Sequence, residues 1–208
     1  IGNFAGETAS GGAICLDNGD LTLINCKFIN NTAAEEAGGA VCVNNGTVNV
    51  DNCVFINNTA LKYGGAIHVN NGILSLKNSV FVNNVAGTEK EQNTGDGGAV
   101  CIYGDLTVDN CSFDSNTGLT YGGAIYQMTG KLNVTNSYFV KNRAGLFDGG
   151  AIQSSADAEI INCSFVNNTA YWEGGALASS TGISCNWTLV NCSFIGNSAG
   201  NDGGAIYF

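Results

Sequence analysis

The sequence has no proline, one histidine, one methionine and only 7 basic residues in 208. Each scarcity excludes something. Seven Lys+Arg against 17 Asp+Glu, a formal net charge of −10, leave no basic patch for a phosphate backbone, which sets nucleic acid aside. No window approaches the ~18 uninterrupted apolar residues of a membrane-spanning helix. There is no Cys-x-x-Cys pair, and His68 is the sole histidine, so zinc is disfavoured and neither metal nor cofactor is expected. Charged residues make up only 12%, too few for a disordered acidic tail, and Val, Ile, Leu and Phe are plentiful. Initiator methionine, signal peptide and sorting tail are all missing, and Ile1-Gly2-Asn3 matches the inside of a repeat found later at Ile195-Gly196-Asn197. Residues 1–208 therefore read as one segment cut from a longer protein, truncated within a repeat at both ends.

What the sequence does have is a repeat. Gly-Gly-Ala begins at Gly11, Gly38, Gly64, Gly97, Gly122, Gly149, Gly174 and Gly203. Between successive copies stands Phe-x-x-Asn, at Phe28/Asn31, Phe55/Asn58, Phe81/Asn84, Phe113/Asn116, Phe139/Asn142, Phe165/Asn168 and Phe194/Asn197. Upstream of each Phe the pattern alternates: Leu21 and Leu23, Val48 and Val50, Leu74 and Leu76, with Thr, Asn, Ser or Glu between such pairs. Alternation with Gly and Asn punctuation predicts strand. An aliphatic residue follows every Gly-Gly-Ala, from Ile14 to Ile206, which adds a second strand, and the Phe segment adds a third. A unit of this size cannot bury its own apolar face, but stacked units can. The prediction is an all-β, right-handed, single-stranded parallel β-helix of seven to eight coils, about 35–40 Å long at one coil per ~4.8 Å. A leucine-rich repeat has shorter units with one strand each and is excluded by coil length.

Two columns of asparagine follow from the stacking. One lies three residues before each Phe, at Asn25, Asn52, Asn78, Asn110, Asn136, Asn162 and Asn191. The other is the Asn of Phe-x-x-Asn: Asn31, Asn58, Asn84, Asn116, Asn142, Asn168 and Asn197. Both are expected to turn inward as structural ladders, amide to amide. Inward placement would also close Asn110, Asn162 and Asn191 to glycosylation and leave Asn186, in an insertion, the best acceptor.

Cys26, Cys53, Cys111, Cys163 and Cys192 share one position with Ser79 and Ser137; Cys15, Cys42 and Cys101 share another with His68 and Tyr126. Small thiols interchangeable with serine read as packing residues. Inter-coil disulfides are the alternative: Cys26–Cys53, Cys15–Cys42 and Cys163–Cys192 are stacked neighbours, and Cys185 could close a loop onto Cys192.

No catalytic residues are assigned. Polysaccharide lyases and hydrolases on β-helices need acids and bases from adjacent coils. Here Asp51 and Asp109 share a face with Lys77 between them, and Arg143 is the only arginine. The variable segments before Gly-Gly-Ala carry aromatics instead: Tyr63, Tyr121, Phe147, Tyr171 and Trp172, with a longer insertion over Gly87–Asp96. Rings on loops above a rigid scaffold form a candidate binding surface for a glycan or protein, or else cover the groove between loops.

Gly11–Ile14 with Phe28–Asn31, and Gly64–Ile67 with Phe81–Asn84, resemble the repeat of the polymorphic outer membrane proteins, chlamydial autotransporter adhesins. They are also similar to adhesin-like β-helix proteins of methanogenic archaea. The resemblance covers Asn3 to Ile206 and implies an adhesive role at the extracellular cell surface, toward a host or neighbouring-cell glycan or protein; it transfers no catalytic residue. A polysaccharide-active enzyme and a passive stalk are the other readings.

Overall fold

The computed structural model describes residues 2–6, 9–88, 94–180 and 182–208. Among them there is no helix, and every strand pairing is parallel, between equivalent positions of successive coils. Three sheets run the length of a β-solenoid of about seven turns. The first is the Phe sheet, seven three-residue strands from Lys27–Ile29 to Ser193–Ile195. The second has eight two-residue strands, Phe4–Ala5, Thr32–Ala33 and their successors to Ser198–Ala199. The third has 12 and holds both the strand after Gly-Gly-Ala and the alternating strand. Those two are continuous in Val41–Asp51, Ile67–Lys77 and Val100–Asp109, and separate elsewhere, as in Ile125–Thr129 and Lys131–Thr135. The Thr-Ala strand was not among the three predicted per coil; two residues are too few to show alternation.

Alternation places the core. Val48, Leu74, Leu106 and Leu132 are paired in register and fully buried, as are Val50, Leu76, Val108 and Val134. The phenylalanines form a single file, Phe28 to Phe194, with ring centroids 4.7–5.0 Å apart and nearly parallel planes. That spacing is the inter-strand distance of a sheet, about 4.8 Å. Each ring is carried by its own strand, so the stack is set by the backbone. Burying one such side chain contributes about 1.5–3 kcal/mol.

The inner asparagine ladder closes every bond. Asn58 Nδ2 donates to Asn84 Oδ1 at 2.9 Å and to the Phe28 carbonyl at 3.0 Å. Its own Oδ1 accepts from the backbone N–H and the Nδ2 of Asn31 at 3.0 and 2.8 Å. Asn84, Asn116, Asn142 and Asn168 repeat this and are fully buried.

The outer column corrects the prediction. Asn25, Asn52, Asn78, Asn110, Asn136, Asn162 and Asn191 are exposed, and every one has φ between 50° and 57°. The chain bends there through the left-handed region, which asparagine tolerates better than other side-chain-bearing residues. Their amides still bond along the stack, Asn110 Nδ2 to Asn78 Oδ1 at 2.8 Å and Asn191 Nδ2 to Asn162 Oδ1 at 2.8 Å. Two rungs are aspartates instead: Asn78 donates to Asp51 and Asn136 to Asp109, both at 2.8 Å. Burial therefore does not close Asn110, Asn162 or Asn191 to modification; they face solvent like Asn186.

The paired glycines act differently from one another. Gly38 has φ +67°, and a Cβ there would meet the Val41 carbonyl of its own turn. A Cβ on Gly39 would instead meet the Gly65 carbonyl of the next coil. The first makes the bend and the second lets coils approach.

The Cys/Ser column is a bend lock. Cys53 N–H donates to Ser79 Oγ at 3.0 Å, and Cys111 N–H to Ser137 Oγ at 3.1 Å. Cys26 N–H donates to Cys53 Sγ at 3.3 Å. Each hydroxyl or thiol in turn donates a hydrogen bond to the carbonyl two residues back, as Ser79 does to Lys77 at 2.6 Å and Cys163 to Ile161 at 3.2 Å. Sulfur and oxygen do the same work, which explains the interchange. All nine cysteines are free thiols, so the pairings Cys26–Cys53, Cys15–Cys42, Cys163–Cys192 and Cys185–Cys192 are not formed.

Candidate functional site

The variable segments form one hydrogen-bonded edge. Residues immediately before Gly-Gly accept from the glycine one coil earlier: Gly38 N–H to Tyr63 O at 2.8 Å, Gly97 to Tyr121 at 2.9 Å, Gly122 to Asp148 at 3.0 Å. Tyr63 is bridged on both sides, to Ala37 and Asp96. Lys62 and Glu36 add an ion pair at 2.8 Å. The edge is thus a backbone ladder, with its side chains held on a fixed frame. Of the insertion, residues 89–93 lie outside the described residues.

Beneath this edge runs the outward row of the strand after Gly-Gly-Ala, in register from Cys15 through Cys42, His68, Cys101, Tyr126 and Gln153 to Ala178. Although it points away from the core, the row from Cys42 onward is buried, because the edge folds over it. Tyr63 stacks on His68 at 5.6 Å, and His68 meets the edge of Tyr103 at 6.3 Å. Tyr121 lies between Tyr126 at 5.7 Å and Phe147 at 4.7 Å. Three of the five candidate rings, Tyr63, Tyr121 and Phe147, are therefore half-buried covers for a second apolar layer. His68, Tyr103 and Tyr126 belong to that layer; the sequence placed His68 and Tyr126 in one column with Cys15, Cys42 and Cys101 but not against the edge rings, and Tyr103, a few residues past the aliphatic, was missed.

Tyr171 and Trp172 differ. They are 62% and 48% exposed, side by side in one segment. Their backbone is nonetheless tied on both sides: Tyr171 N–H to Ala144 O and Trp172 N–H to Phe147 O at 3.1 Å, and Asn201 N–H to Trp172 O at 2.8 Å. Both rings thus stand exposed on a backbone that is hydrogen-bonded to the coils on either side.

Burial sets the electrostatics of the covered layer. It pulls His68 down to about 4, so the imidazole is neutral. It pushes Asp96 up to about 6 and Asp148 up to about 6, with the neighbouring Glu173 carboxylate adding to the latter. Desolvation also raises the Cys42 and Cys111 thiols to about 12 and Cys163 to about 11, which keeps them protonated and unreactive.

The carboxylates once weighed for glycoside chemistry are otherwise engaged. Lys77 stands in register between Asp51 and Asp109. Asp109 accepts from Thr135 Oγ1 at 2.7 Å and Asn136 Nδ2 at 2.8 Å, and these bonds hold its carboxyl below the usual range. A general acid needs the opposite shift.

Comparison with known families identifies the Chlamydia polymorphic membrane protein repeat at residues 52–70, 110–127, 162–180 and 191–208. Each match starts on an exposed asparagine with positive φ and runs through Phe-x-x-Asn, the edge and the Gly-Gly-Ala strand. No curated protein and no solved structure matches the chain.

Proposed function

We propose, because four segments of this solenoid match the polymorphic membrane protein repeat, that the chain acts as a non-enzymatic adhesion segment at the cell surface. Its edge contacts a glycan or protein of a host or neighbouring cell, and the contact centres on Tyr171 and Trp172. The observation that carries this reading is the exposure of those two rings on an edge whose other aromatics pack against their neighbours. Tyr and Trp supply large contact area at little entropic cost, and they dominate binding energy where they occur at interfaces. Binding of the Tyr171→Ser, Trp172→Ser double variant to a glycan and cell-surface protein array tests it. Loss of the wild-type hits, with an unchanged circular dichroism spectrum, supports the edge as contact surface. Unchanged hits remove the edge, and an array without hits for the wild type favours a passive stalk.

A further inference from the structure

The outward face of the alternating strand carries one polar residue per coil in strict register: Thr22, Asn49, Ser75, Thr107, Asn133 and Thr188, with Glu159 the single acid. All but the half-buried Ser75 are exposed. Among the described residues, none of these side chains makes a hydrogen bond, whereas both asparagine columns bond along the stack. Near each end the column forms the floor of a shallow trough. Two depressions, of about 200 and 280 Å³, lie on it at opposite ends: one over Thr22, Asn49 and Ser75, the other over Asn133, Glu159 and Thr188. The walls carry both signs, Asp51 beside Lys77 on one side and Lys131 beside Asp157 on the other. None of the column lies within the four segments matched by the repeat family.

We infer that the trough binds a linear, uncharged polysaccharide lengthwise, one sugar ring over each coil. Three features select that occupant. Hydroxyls and amides donate and accept alike, as sugar hydroxyls do, and are here unspent. The period discriminates polymers: an extended peptide repeats its side-chain pattern every ~6.7 Å and falls out of step with coils ~4.8 Å apart, whereas a pyranose chain advances by roughly one coil per ring. Charge discriminates further, since a chain of net charge −10 with an acid on the trough floor repels polyanionic glycans. The site lies on the alternating strand, apart from the variable segments that carry Tyr171 and Trp172, and does not depend on them.

The experiment is calorimetric titration of the purified chain with neutral oligosaccharides of glucose, N-acetylglucosamine and mannose, two to seven rings long. Affinity for at least one series is expected to rise about tenfold or more from three to six rings. Asn49→Val with Asn133→Val is expected to weaken the hexamer about tenfold, while Tyr171→Ser with Trp172→Ser leaves it unchanged. Both pairs face solvent, and circular dichroism confirms that each variant folds. No binding by any series overturns the inference, as does binding indifferent to the trough pair. Loss only in the Tyr171/Trp172 pair assigns the glycan to the edge: the trough is then wrong and the edge reading stands.

Discussion

The side-chain oxygen of Asn116 accepts two hydrogen bonds from Asn84 on the neighbouring coil, from its backbone N–H at 3.0 Å and its Nδ2 at 2.9 Å. Asn116 in turn donates to Phe81 O and to Asn142 Oδ1, both at 3.0 Å. One amide thus links the coils before and after it and pins the Phe strand between them. The rungs from Asn31 to Asn168 are buried, so a missing one among them leaves its neighbours unpaired in the core.

Asn116→Ala is expected to cost roughly 3–5 kcal/mol, because it strands the N–H and Nδ2 of Asn84 and the Phe81 carbonyl together. Urea unfolding measures it. A loss under about 1 kcal/mol, the net worth of one ordinary hydrogen bond, would show that the ladder does not carry the stack.

The exposed column should answer differently. Asn110 sits at φ 51° in solvent, so its backbone conformation matters more than its amide. Asn110→Gly is expected to stay within about 1 kcal/mol of wild type, and Asn110→Ala to cost about 1–2 kcal/mol. Equal losses for both would put the weight on the side-chain bond to Asn78 instead.

The thiols should react in two classes. Cys42, Cys53, Cys101, Cys111 and Cys163 are buried, and burial raises the pKa of each. A thiol reagent applied to the native protein under reducing-agent-free, anaerobic conditions is expected to modify only Cys15, Cys26, Cys185 and Cys192, with the other five released by denaturant. Fast modification of Cys101 would contradict the covered layer.

His68 gives the pH dependence a sign. Its folded pKa of about 4 lies below the unfolded 6.5, so between those values the unfolded chain binds more protons. The stability it contributes is present above about 6.5 and falls away toward about 4. Asp96 and Asp148, raised from 3.8 to about 6, act the other way: their buried charge is relieved as pH falls through that window. The difference between wild type and His68→Phe isolates the histidine, which lies among Tyr63, Tyr103, Cys42 and Cys101, with Glu36 the nearby charge. On acidification from pH 7 to 4.5, wild type is expected to lose ground to the variant by on the order of 1.4 kcal/mol per pH unit below 6.5. Thermal melts that keep a constant gap would contradict this.

How much of this was legible depends on what a residue type can mean. Leu74 and Leu76 announce an inward pair because alternation has one physical reading, and Phe81 recurs at one offset because a stacked ring must. Asn78 and Asn84 look identical in sequence yet do different things: one satisfies a left-handed bend in solvent and the other a buried amide ladder. Asparagine suits both, so its identity could not tell inside from outside. Thr32–Ala33 was invisible as a strand because two residues show no period. The edge rings were found, but their partners were not. Tyr63 stacks on His68 and Tyr121 on Tyr126 across a glycine bend, a contact that neither strand nor helix periodicity encodes. Tyr171 and Trp172 stand out only once that packing is known.

In-register stacking underlies everything else, and pulsed electron resonance between spin labels measures it most directly. Lys27, Tyr138 and Ser193 occupy the same exposed column of the Phe sheet, with four coil steps from Lys27 to Tyr138 and two more to Ser193. Labels at Lys27 and Tyr138 are expected about 19 Å apart at the backbone, and at Lys27 and Ser193 about 29 Å, a fixed increment of ~4.8 Å per coil. Distances that fail to grow in proportion to the number of coils would contradict the stacked solenoid.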